Sequence, residues 1–184
     1  MSEQSRYFNR EKSWLEFNNR VLNEAMVSSN PLLERLKFLA ITASNLDEFF
    51  MVRVGGLHAL VKQGTTNPDP AGLSPKEQLR IVGEHTHDMV GNQYDCLLNQ
   101  ITPGLKEHGL VQCSMSELNE RQQTAATQLF EHEIRAIMTP QAVDAEDEFP
   151  LLANQTICLC VRLAPAEDGE PPRFALLPFG RESR

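Results

Sequence analysis

Between Ser44 and Glu48 the chain places an amide, Asn45, close to two carboxylates, Asp47 and Glu48, and Arg53 follows soon after. Neighbouring carboxylates can act as a general base or bind a divalent cation. The same residues also fit a capping box. Ser44 has Asp47 three positions on and Asn45 has Glu48, and acids in a first helical turn are favoured by the helix dipole. Capping therefore outweighs catalysis for the two acids, and Asn45 is expected at the start of a helix. Arg53 reads as half of an ion pair inside the fold, with a phosphate contact as its other reading.

The remaining reactive side chains do not converge. His85 and His87 lie two apart, so on a helix they diverge by about 200° and cannot share a metal. His58, His108 and His132 stand alone and read as structural or surface groups. Cys96, Cys113, Cys158 and Cys160 show no CxxC spacing and read as reduced thiols, with Cys158 and Cys160 on one face of a strand. No glycine-rich GxxxxGK loop is present, which removes an independent phosphate-loop kinase site.

Seventeen basic against twenty-five acidic residues give a net charge of −8, which opposes binding to nucleic acid. Trp14, Phe17, Phe38, Phe49 and Phe50 fall at helical spacings and read as core rather than as a base-stacking platform. Arg6, Arg10, Lys12, Arg20, Arg35 and Lys37 are interleaved with acids and as a group read as a solvated surface, with the lining of a polyanion path as their other reading. With no long apolar run and a polar amino terminus, the expected location is the cytoplasm. Association with a membrane surface is not legible from these residues.

The elements that would position these groups are mostly helical. Trp14, Phe17, Val21, Leu22 and Ala25 predict a helix over 11–27. Asn30 as N-cap and Pro31 as first residue open a second, with Leu32, Leu36, Leu39 and Ala40 inward. A third is expected from Ser44-Asn45, with Leu46, Phe49, Phe50, Val52, Leu57, Leu60 and Val61 inward and Gly55-Gly56 marking a close crossing. After a polar loop over 63–74, Ser74, Pro75 and Glu77 start a fourth, carrying Leu79, Val82, Met89, Val90 and Leu97 and kinking or restarting at Thr102-Pro103. These four helices form a bundle over 1–108.

Residues 109–184 change character. An apolar run at 110–113 leads to a helix over 117–137, an acidic connection over 139–150, and two strands, QTICLCVRLA and RFALLPF, joined by the polar turn PAEDGEPP. The fold class is mostly α, a helical bundle followed by one helix and a β-hairpin. So small an α+β unit is marginal alone, and it reads as the unfinished first part of a longer domain.

Three segments, YFNREKSWLEFNNRVLNEA at 7–25, NPLLERLKFLAI at 30–41 and SNLDEFFMVRVGGL at 44–57, together resemble the start of the polyphosphate kinase family, the bacterial type phosphorylated on histidine. Met138-Thr139-Pro140 is similar to the family's ITP, with Ile replaced by Met. The resemblance is strong over the first 60 residues or so, fair to about residue 108 and weak beyond.

The resemblance implies an amino-terminal helical domain and the start of a head domain that helps form a dimer. It implies a parent enzyme that reversibly transfers the terminal phosphate of ATP to inorganic polyphosphate through a phosphohistidine, with Mg2+. The histidine and the metal ligands are expected outside this chain, which alone is expected to be inactive. On the same resemblance Asn45 contacts the ATP or ADP. An asparagine amide can both donate to and accept from an adenine edge, and a helix amino terminus would favour phosphate. The alternative is a non-catalytic helical interaction module in which Asn45 is a helix cap and nothing more.

Overall fold

The computed structural model describes residues 6–143, 149–153, 155–164 and 173–179. The protein is mostly α with an α+β end, and its contacts divide it into two compact units, Met1–Gln112 and Cys113–Arg184. Among the described residues no helix is long and apolar enough to cross a membrane.

In the first unit α1 spans Arg10–Met26, capped by Asn9, whose side chain accepts from the Lys12 amide. Its buried row is Glu11, Leu15, Asn18, Leu22 and Ala25, at alternating steps of four and three. Helix α2, Leu32–Phe49, buries Arg35, Leu39, Thr42, Leu46 and Phe49 with the same steps. Helix α4, Pro75–Cys96, buries Gln78, Val82, Thr86 and Met89 at steps of four, four and three. Rows of this spacing let helices pack side by side with interlocking side chains. Leu15, Leu22 and Phe49 are almost fully enclosed, each worth about 2 kcal/mol of transfer from water.

Several expected faces are rotated. Phe17, Phe50, Val52, Leu60 and Val90 are exposed, whereas Arg35, expected toward solvent, keeps a relative exposure of only 8%. The apolar residues that suggested the inward faces partly flank the buried rows, and polar residues lie within them. Asn30 is not the α2 cap. Pro31 occupies that position, and Asn30 turns back to donate to the Glu24 carbonyl at 2.9 Å, closing the end of α1.

The third helix exists but has no separate start. Helix α2 runs through Ser44 and Asn45 into a π turn, Phe50–Val54, and on into α3, Gly55–Lys62. The π turn is marked by the Gly55 N–H reaching the Phe50 carbonyl. It absorbs one extra residue, so the buried row steps by five from Phe49 to Val54 before resuming at Leu57. A second π turn, Leu97–Ile101, does the same between buried Cys96 and Ile101, just ahead of Pro103 in α5, Thr102–Glu107. Gly55 and Gly56 do not mark a close crossing. A Cβ on Gly56 would meet nothing within 4 Å, whereas one on Gly104 would meet Leu32 Cδ1 at 3.0 Å. The α4 start is as expected, a complete Ser74/Glu77 capping box with Pro75 in the first turn.

In the second unit α6 spans Glu120–Leu129, three residues later than expected, because Asn119 and Gln122 form the capping box. It continues through a π turn, Phe130–Ile134, and a 3₁₀ turn, Arg135–Ile137. Strands β2, Ile157–Leu163, and β3, Arg173–Phe179, pair antiparallel as expected, with Cys160 opposite Leu176. The turn PAEDGEPP lies outside the described residues. A third strand, β1 at Gln141–Val143, was not expected, and it pairs with the other side of β3 to give the order β1-β3-β2. The buried Val143 and Leu176 share the sheet face of Cys160, and Ile157 and Leu159 on the opposite face are exposed.

Candidate functional site

Asn45 lies in the last part of α2, inside a continuous helix, so it caps nothing. The positive dipole end and unpaired N–H groups expected to favour a phosphate there belong to the start of α2 at Leu32, and the backbone amides near Asn45 bond within the helix. Asp47 and Glu48 likewise complete no cap. What holds Asn45 is a neighbour across the α1–α2 interface. Its Nδ2 donates to Asn18 Oδ1 at 2.9 Å, and Asn18, fully buried, donates through its own Nδ2 to the Thr42 carbonyl at 3.1 Å.

Asn45 opens onto a recess of about 250 Å³ lined by Trp14, Phe17, Asn45, Glu48, Phe49, Val52 and Arg53. Its aromatic wall is rigid, because Trp14 stacks on Phe49 with ring centroids 4.3 Å apart and planes 11° from parallel. Arg53 reaches this wall because of the π turn. Continuing the four-three steps from Phe49 would put position 53 in the core, but the extra residue gives that place to Val54. Arg53 is left at the edge, its side chain one-third exposed.

Behind Arg53 stands Glu11. One of its oxygens accepts from Arg10 Nη2 at 2.6 Å, and the other lies 3.6 Å from Arg53 Nη1. The ion-pair reading of Arg53 is thus met inside the bundle, and Arg53 also lines the recess. Glu11 belongs to the first turn of α1, which Asn9 anchors. The Asn9 amide donates to Asp69 Oδ2 at 2.7 Å and to Gln78 Oε1 at 3.1 Å, tying α1 to the 63–74 loop and to α4. Burial pushes the Asp69 carboxyl up, but hydrogen bonds from the Leu73 amide, Asn9, and the Ala71 and Gly72 amides outweigh it and hold Asp69 below its usual 3.8.

The other candidates stay apart. His85, His87 and His108 each bond through Nδ1 to the carbonyl four residues back, at 2.9 Å. All four cysteines are free thiols, with Cys96 buried and Cys160 exposed. Among the described residues no three His, Cys, Asp or Glu side chains gather to hold a metal. A second recess, of about 260 Å³, is lined by Leu36, Leu39, Ala43, Tyr94 and Leu97 among others, and it carries no charged group. Glu11 and Asn18, which hold Arg53 and Asn45, were not singled out from sequence. Their place in the row Glu11, Leu15, Asn18, Leu22, Ala25 was the signal that could have found them.

Known proteins share both the sequence and the shape of this chain. Residues 7–113 match the family described as polyphosphate kinase N-terminal domain, and residues 121–183 match the polyphosphate kinase middle domain. The chain is 46% identical over 178 residues to a polyphosphate kinase of Halalkalibacterium halodurans, covering 96% of this chain and 25% of that protein. It is 43% identical over 173 residues to one from Lactiplantibacillus plantarum, covering 94% and 24%. The crystal structure of a polyphosphate kinase from Porphyromonas gingivalis superimposes with a TM-score of 0.74 at 29% identity, over 95% of this chain and 25% of that one. The chain thus spans about a quarter of the length of the curated relatives it matches.

Proposed function

The chain belongs to the polyphosphate kinase family, and from that premise we propose that it is the nucleotide-contacting amino-terminal part of an enzyme that reversibly transfers the terminal phosphate of ATP to inorganic polyphosphate. The observation that carries this reading is the anchored Asn45 amide, which opens with Arg53 onto one recess inside the segment that matches the family. The recess is smaller than a site enclosing a whole drug-sized ligand, so it would take part of the nucleotide while the rest extends past this chain.

In this reading Trp14 and Phe17 offer an apolar wall, Asn45 a hydrogen-bonding edge and Arg53 a positive charge. The phosphohistidine belongs to the portion of the parent that this chain does not span. Mg2+ would shield phosphate charge when bound, and in this reading its ligands lie in that portion too. The parent works as a dimer to which the second unit contributes, a role that the exposed β2 face carrying Ile157 and Leu159 is suited to.

Calorimetric titration of the complete protein with a non-hydrolysable ATP analogue and magnesium tests the reading. Binding that weakens in Asn45→Ala supports it. Unchanged binding in the variant refutes the contact. Polyphosphate synthesis by residues 1–184 alone would refute the assignment of chemistry to the remainder of the parent. The interaction-module alternative loses its premise about Asn45, which is no cap.

A further inference from the structure

The hydrogen bonds around Asn18 have a direction, and the direction is set by an atom that cannot change role. The Thr42 carbonyl can accept but never donate, so the Asn18 atom facing it at 3.1 Å must be Nδ2. A weaker contact from the same Nδ2 to Met89 Sδ, at 3.5 Å, agrees, because a thioether also accepts. Asn18 therefore turns Oδ1 toward Asn45. That oxygen only accepts, so Asn45 must meet it with Nδ2. With Asn18 fully buried, neither amide can flip without leaving a donor facing a donor or an acceptor facing an acceptor.

We infer that Asn18 is a positioning residue that fixes the polarity of Asn45, so that the Asn45 carbonyl oxygen is the group presented to the ligand and the ligand group that meets it is a hydrogen-bond donor. The inference rests on the nucleotide reading above and deepens it. Glu48, one turn along the same helix and lining the same recess, adds a second acceptor. These two acceptors disfavour a base's oxo group beside Asn45 and suit an exocyclic amine there. At the 6-position of a purine nucleotide that is the amine of adenine, as against the oxo group of hypoxanthine or guanine.

The test compares ATP, ITP and purine riboside triphosphate, which carry an amine, an oxo group and a hydrogen at the same position. Their binding to the complete protein is measured by calorimetry for the wild type, Asn45→Ala, Asn18→Ala and Asn18→Asp. The wild type is expected to bind ATP roughly tenfold more tightly than ITP, with the third ligand between them. In Asn18→Ala that ratio falls toward one. Asn18→Asp still accepts from Asn45 and keeps the ratio while losing thermal stability, which separates positioning from support of the fold. A wild type that binds ATP and ITP equally overturns the inference whether or not any variant folds. If Asn45→Ala weakens ATP binding but Asn18→Ala keeps the wild-type ratio, Asn18 is no positioning residue and the nucleotide reading stands. If Asn45→Ala binds ATP as the wild type does, the nucleotide reading itself fails and takes this inference with it.

Discussion

Arg53 Nη1 lies 3.6 Å from Glu11 Oε2, a carboxylate oxygen that is buried and accepts no hydrogen bond among the described residues. Buried carboxylate oxygens are rarely left so. Here the charge of Arg53 compensates it, and the pair links the first turn of α1 to the π turn after α2.

Replacing that carboxylate by its amide therefore removes the counter-charge of Arg53 and also that of Arg10, which the other oxygen meets at 2.6 Å. Glu11→Gln should lower stability by about 1–3 kcal/mol, less than a fully enclosed pair would lose because Arg53 is one-third exposed. Urea denaturation of the two proteins measures it. An unchanged midpoint would mean that the Glu11 charge, with both of its arginines, contributes nothing to stability.

Asn45→Ala removes one hydrogen bond to Asn18 and leaves the apolar packing of α2 in place. The expected stability loss is about 1 kcal/mol, against a roughly tenfold loss of ATP-analogue affinity in the complete protein. Circular dichroism and calorimetry on the same samples separate the two.

Acid should weaken the anchor at Asn9. Because folding lowers the Asp69 carboxyl below 3.8, its contribution is complete above that value and is lost as pH falls through the folded one. Unfolding midpoints followed downward from pH 6 should drop more steeply below about pH 4 in the wild type than in Asp69→Asn. Parallel curves would show that Asp69 is not linked to folding.

The glycines of the helical unit should respond oppositely to added side chains. Gly56→Ala enters open space in a helix and should stabilise by about 0.5–1 kcal/mol. Gly104→Val would drive side-chain atoms into Leu32, whose Cδ1 lies only 3.0 Å from the place a Cβ would take, and should lower the melting temperature by several degrees. Thermal melts of the pair decide it.

Much of the first unit was legible because its signals are local. Ser74, Pro75 and Glu77 announce a helix start that needs no tertiary partner, and the three family-like segments lie close together along the chain. Asn45 was misplaced because Ser and Asn cap helices in isolation. Inside this helix Asn45 is satisfied by Asn18, a residue far away in sequence. A fixed helical period carries no mark of the π turns, since only the five-residue step from Phe49 to Val54 betrays the first of them. Strand β1 escaped because its three residues carry no period, and their partner in β3 comes much later in the chain. Polar residues within buried rows, Glu11 and Asn18 above all, are invisible to a reading that equates inward with apolar.

Arg35 gives the helical unit a further property. Its guanidinium is buried and makes no ion pair among the described residues. Nε instead donates to the Ala25 carbonyl at the end of α1, at 2.6 Å, and Nη2 to Gln100 in the π turn after α4. A permanent charge cannot be shed by deprotonation, so its donors must stay satisfied until water reaches them. Peeling away either partner alone would strand that charge in a dry interior. The end of α1, the start of α2 and the turn after α4 are therefore bound into one opening unit, whose slowest amide hydrogens should exchange with solvent together.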